Sequence, residues 1–141
     1  ESTTHDDSAF DAAFFHNTGL YNVDGDGAYP VGNAGVYDVT GRPEDMGAFR
    51  PQTLRNIALT APYMHDGSFD TLDDVIEHYA RGGTVVDDGP HAGDGKESPL
   101  KSGLVAGFSL SDDDKVDLIA FLHALTDDTF ITDERFSDPF D

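Results

Sequence analysis

An all-α domain with long loops is the fold class this sequence predicts, on three observations. Two segments carry apolar residues at helical spacing between recognisable start and stop residues. No run of convincing length alternates with the period of a strand, and the stretches between the two segments are rich in Gly, Asp, Pro and Ser. A chain of 141 residues suits one domain with a modest core and is short for two. Hydrophobic residues make up 38%, with ten Phe and five Tyr, which a disordered acidic chain would lack.

The clearest helix spans 71–81. Thr71 and Asp74 suit a capping box, Leu72, Val75, Ile76 and Tyr79 share one face, and Gly82-Gly83 suit the stop. This geometry predicts that Tyr79 points inward. The second helix starts at Ser111, places Asp112 to Asp114 in the first turn where the dipole favours anions, and runs through Val116, Ile119, Ala120 and His123 towards Leu125. Leu118, Phe121 and Leu122 widen its apolar face, which predicts burial. A shorter helix is expected over 51–57, with Pro51 at an early position. Loops are expected at Asp24-Gly-Asp-Gly27, around Gly32 to Gly35, and over 87–101. The acidic tail 126–141, dotted with Phe130, Phe136 and Phe140, is expected to lie across a surface. Loops this long in a compact domain have a reason, such as wrapping a cofactor or forming an interface.

Charge narrows the partners. With 28 Asp and Glu against 8 Lys and Arg, the formal charge is -20, a field that repels nucleic acid phosphates and anionic lipid heads. Neither nucleic acid binding nor membrane insertion is expected, and no apolar stretch approaches the roughly 18 residues of a spanning helix. No export signal is legible in the chain. There is no cysteine, hence no disulfide, no thiolate metal site and no thioether link to haem.

Three blocks in order carry a resemblance. They are Phe15-His-Asn-Thr-Gly-Leu20, the long run from Gly47 through Arg-Pro-Gln-Thr-Leu-Arg-Asn-Ile-Ala-Leu-Thr-Ala-Pro-Tyr-Met-His-Asp-Gly-Ser-Phe69, and the closing Ala120-Phe-Leu-His-Ala-Leu-Thr126. Together they resemble the C-terminal haem domain of the bacterial di-haem cytochrome c peroxidase and MauG family, over nearly the whole chain. The resemblance implies a cytochrome-c-like domain, here without its usual N-terminal helix, treated as one domain over 1–141 with 126–141 as a C-terminal extension.

Counting back to the family's Cys-x-x-Cys-His motif lands on Glu1-Ser-Thr-Thr-His5, where the histidine stands and both cysteines are absent. The resemblance makes His5 one axial iron ligand and places Tyr79 at the other, where MauG-like members carry Tyr and typical peroxidases Met. A tyrosine ligates as phenolate, and a hard ferric centre offsets its ordinary pKa of about 10 better than a ferrous one. Without the family, Tyr79 reads as a core aromatic with its hydroxyl hydrogen-bonded. Met64 offers a thioether as an alternative partner for His5. The family places His65 near the haem edge or inter-domain contacts.

The resemblance also implies calcium, bound through the main-chain carbonyls of Thr60 and Pro62, and oxygen donors suit that ion. The remaining calcium ligands would come from the missing half or water. Asp24-Gly-Asp-Gly27 lacks the remaining ligands of an EF-hand loop and reads as a plain turn. The family's peroxide-reacting haem lies in another half. The expected function is therefore a C-terminal electron-transfer haem domain of a di-haem peroxidase or MauG-like oxidase that uses hydrogen peroxide, not catalytically complete alone. Its haem would be non-covalent or supplied with a missing segment. The expected partners are an N-terminal haem domain or second chain of the same enzyme and a redox protein or protein substrate, in the periplasm or outside the cell. The alternative is a haem-free, calcium-binding interaction module derived from the same fold.

Overall fold

The computed structural model describes residues 15–137, which divide into two compact units. The first comprises the chain up to Gln52 together with Ile76–Ser109, and the second comprises Thr53–Val75 together with the chain from Leu110. His5 lies outside the described residues.

The all-α expectation is not met. Of the described residues only 35% are helical, 3-10 turns included, and 9% are strand, in four short helices and two small sheets. In chain order these are β1 (His16–Asn17), α1 (Tyr37–Thr40), β2 (Ala48–Phe49), α2 (Leu72–Arg81), β3 (Val85–Val86), β4 (Gly93–Asp94), α3 (Asp112–Ala124) and α4 (Asp128–Ile131). The strands were invisible in the sequence because two residues hold a single alternation, so no period can register. Pairing makes them: β1 runs antiparallel to β2 with His16 opposite Phe49, and β3 antiparallel to β4 with Val85 opposite Asp94.

In the first unit the core gathers Leu20, Tyr29, Ala34, Ala48, Ile76 and Val105. Polar side chains stitch its loops where regular structure is lacking. Asn17 donates from Nδ2 to the Met46 carbonyl at 2.8 Å, while its Oδ1 accepts from the Gly19 N–H and the Tyr29 hydroxyl. Asn22 likewise donates to the Asp94 carbonyl and accepts from the Gly27 N–H. These bonds satisfy buried groups that a ladder would otherwise serve. The Asp24-Gly-Asp-Gly27 segment is a plain turn, in which Asp24 Oδ1 accepts from the N–H groups of Asp26 and Ala28.

In the second unit Tyr63, Leu72 and Leu122 are buried. The helix expected over 51–57 is absent: a 3-10 turn, Ile57–Leu59, follows Asn56 in the left-handed region at φ 61°. Asn56 is held there by tertiary bonds, its N–H to the Leu125 carbonyl and its Oδ1 from the Asp127 N–H, which stop a helix from propagating. Helix α3 forms as expected on its Ser111 and Asp114 capping box. Its burial differs from expectation, since only Leu122 is buried while Val116 and Phe121 stand exposed. The tail continues through α4 and a 3-10 turn at Glu134–Phe136; Phe140 lies outside the described residues.

Candidate functional site

Helix α2 starts on the predicted capping box, with the Asp74 N–H bound to Thr71 Oγ1 at 3.1 Å and the Thr71 N–H to Asp74 Oδ2 at 3.2 Å. It ends on Gly82 and Gly83, at φ 77° and 138°, where the Gly83 N–H reaches the His78 carbonyl at 3.0 Å. Its inward face differs from the predicted one. His78 is 3% exposed and Tyr79 is 37% exposed. A short hydrogen-bonding ring has displaced the larger aromatic because partners await it inside: His78 Nδ1 lies 2.7 Å from Thr84 Oγ1, and the Thr18 backbone also bonds the ring. Burial drives the His78 pKa down to about 4, helped by the charge of Lys101 and opposed by Thr18, so the imidazole is neutral at pH 7.

Tyr79 stands edge-on to His78, ring centroids 5.1 Å apart at 82°. Its hydroxyl makes no hydrogen bond among the described residues. Partial burial holds the phenol above its ordinary pKa of 10.0. The segment beside this turn is apolar: the Phe108 N–H binds the Ala80 carbonyl at 3.0 Å, Val105 is buried, and Leu104 and Phe108 are exposed on either side of it. Sequence reasoning missed His78 and Phe108; the only signal was the partner-rich Thr18 and Thr84 flanking segments, whose proximity is tertiary.

Thr60, Pro62, Met64 and His65 lie on one segment of the second unit. Met64 and His65 fall inside a loop closed by Tyr63 and Phe69, which exchange main-chain bonds across an antiparallel bridge, and Thr60 and Pro62 precede it. Met64 takes φ 68° and Gly67 φ 70°, and a β-carbon on Gly67 would lie 3.2 Å from Pro62 Cγ. His65 is at the surface, with desolvation lowering its pKa against the raising charge of Asp66. The Thr60 hydroxyl is spent on the Ile57 carbonyl at 3.0 Å, whereas the carbonyls of Thr60 and Pro62 accept no hydrogen bond among the described residues. Among the described residues no group of three or more His, Cys, Asp or Glu could hold a metal ion, so a cation on this segment would depend on those main-chain oxygens. No helix of the described residues is long and apolar enough to cross a membrane.

No protein-family model matches the chain. It is 42% identical over 92 residues to the cytochrome-c peroxidase IdrP1 of Pseudomonas sp. (strain SCT), covering 65% of this chain and 21% of that protein. It is 33% identical over 78 residues to the methylamine utilization protein MauG of Methylorubrum extorquens, covering 55% of this chain and 19% of that protein. The chain thus spans about a fifth of the length of the curated relatives it matches. Homology at this level defines the class: the chain belongs to the cytochrome c peroxidase and MauG family, as a segment of that family's length.

Within the class, its fold matches the crystal structure of a MauG-like protein associated with microbial copper homeostasis at a TM-score of 0.87 and 59% identity, over 90% of this chain and 36% of that one. These relatives imply haem. The residues around Tyr79 fit such a group: a phenol oxygen with no partner among the described residues, next to Ala80, whose carbonyl holds the N–H of the exposed, apolar Phe108.

Proposed function

We propose that this chain is the electron-transferring, C-terminal haem segment of a peroxide-using, MauG-like oxidoreductase, with Tyr79 as one axial iron ligand and His5 as the other. The observation that carries the reading is the phenol of Tyr79, which makes no hydrogen bond among the described residues. A tyrosine used only for packing would be fully buried with its hydroxyl bonded, whereas this one is 37% exposed and has no partner among the described residues. A bound ferric haem would supply the one-electron and peroxide chemistry. Tyr79 would hold the iron by its phenolate, which favours the ferric state, while Phe108 and Leu104 would shield one edge from water. His78, neutral and locked by Thr84, fixes the turn that presents Tyr79.

Calcium is proposed at the carbonyls of Thr60 and Pro62, because both residues are exposed and neither carbonyl accepts a hydrogen bond among the described residues. Met64 and His65 lie on the same segment, and Met64 remains the weaker alternative iron ligand. The reading takes the rest of the enzyme, an N-terminal haem domain or a second chain, as the partner that completes catalysis, with a redox protein or protein substrate as the reacting partner in the periplasm or outside the cell. The structural relative's association with copper homeostasis supports placing the parent protein in copper handling. Its cellular abundance should then change with copper supply.

The test is a visible absorption spectrum of the full-length protein with a pyridine haemochrome assay. A Soret band with a b-type haemochrome is expected, and Tyr79→Phe should remove the tyrosinate charge-transfer band, while in the haem-free protein it should change stability by less than about 0.5 kcal/mol, since the hydroxyl makes no hydrogen bond among the described residues. An unchanged band in that variant would end the role given to Tyr79. A colourless protein that still binds calcium would favour the haem-free module instead.

A further inference from the structure

Lys101 is used unlike the chain's other paired cations. Arg42, Arg55, Arg81, Arg135 and Lys115 each meet a carboxylate. In a chain with 28 acidic residues against 8 basic ones, Lys101 makes no ion pair among the described residues. Its Nζ donates instead to the Gly82 carbonyl at 2.7 Å, just past the end of α2. That position suits a cation because the last carbonyls of a helix carry its partial negative charge and lack donors of their own.

The stem of Lys101 has a second contact. A β-carbon on Gly19 would lie 2.7 Å from Lys101 Cδ and 3.2 Å from Cγ, so the lysine crosses the Gly19 backbone through space a side chain would fill. Two further ties join the same segments: the Thr84 N–H binds the Gly19 carbonyl at 2.9 Å, and the His78 ring bonds the Thr18 backbone. The segment held in this way, 17–20, follows His5 in sequence, and the helix end it is held against carries Tyr79.

We infer that Lys101 is a positioning residue, a strut that sets the spacing between the segment following His5 and the last turn of the Tyr79 helix. The role rests on the reading of Tyr79 as an iron ligand. Loss of the ammonium frees the Gly82 carbonyl, loosens the left-handed turn at Gly82 and Gly83, and lets the phenol of Tyr79 sample more than one orientation.

The experiment compares wild type, Lys101→Met, Lys101→Arg and Tyr79→Phe in the full-length protein with its haem. Amide hydrogen exchange at Gly83 and Thr84 is read alongside the tyrosinate charge-transfer band and the electron paramagnetic resonance spectrum. Lys101→Met should speed exchange roughly tenfold at those amides and split the ferric signal into more than one species, with Lys101→Arg restoring both towards wild type. Faster exchange with an unaltered ferric signal would make Lys101 merely structural and overturn the proposal. If Tyr79→Phe leaves the spectrum untouched, the Tyr79 reading falls and the positioning role falls with it, whereas a spectrum altered by Tyr79→Phe but not by Lys101→Met overturns the strut alone. Should Lys101→Met not fold, Lys101→Gln, which keeps a donor without the charge, takes its place in the same comparison.

Discussion

At Gly47 the backbone sits at φ 70°, and a β-carbon there would lie 2.2 Å from Tyr29 Cε2 and 2.6 Å from Asn17 Nδ2. Neither neighbour can withdraw. Tyr29 is 6% exposed and its hydroxyl donates to Asn17 Oδ1 at 2.9 Å, while Asn17 also holds the Met46 carbonyl and the Gly19 N–H. Gly47→Ala should therefore cost roughly 3 kcal/mol through overpacking added to an unfavourable φ, read as a lower denaturation midpoint with an unchanged m-value. The same economy of space decides between His78 and Tyr79. Adjacent on α2, they divide its roles: the imidazole closes the interior on Thr84, and the phenol is left exposed with no hydrogen bond among the described residues.

Among the elements, α3 shows how much a cap contributes when packing contributes little. With one buried side chain, it leans on Ser111, whose Oγ accepts from the Asp114 N–H at 3.2 Å while the Asp114 carboxylate returns to the Ser111 N–H at 3.2 Å. Ser111→Ala should cost about 1 kcal/mol, seen as reduced helicity and a lower melting temperature. Beyond α3, the turn into α4 is organised by Asp127. Its carboxylate accepts from the Thr129 hydroxyl, pairs with Arg55 and accepts from the Phe130 N–H, and these together hold its pKa down to about 2 from an ordinary 3.8. A carboxylate with a depressed folded pKa stabilises above its unfolded value. The contribution should thus be complete above pH 3.8 and disappear as pH falls towards about 2. Denaturation across that window should show a shallower acid slope in Asp127→Asn than in wild type.

For the molecule as a whole, a charge of -20 on 141 residues makes self-repulsion a property of the folded state. Screening shortens to roughly 3 Å at 1 M salt, from about 10 Å at 0.1 M. The melting temperature of the protein should rise with sodium chloride over that range, and a fall would show that its ion pairs outweigh the repulsion. The cations are too few to neutralise the surface. Most are placed singly, as Lys115 on Asp73 at 2.7 Å and Arg42 on Asp45 at 2.8 Å, where they tie local segments.

The sequence by itself determined the family, through ordered blocks, and it determined α2 and the start of α3, because capping boxes and glycine stops are local chemistry written in adjacent residues. It also singled out Tyr79 by position, and Thr60 and Pro62 by motif. It could not supply the two sheets, since strands of two residues exist only through partners such as Phe49 for His16. Nor could it exclude the helix over 51–57, which is prevented by Asn56 bonding to Leu125 and Asp127, far along the chain. Only the tertiary structure decided that Tyr79 faces out and His78 in, and that Lys101 ends on Gly82. Helical periodicity names the side chains that share a face, whereas burial on that face depends on which donors and acceptors distant segments bring to it.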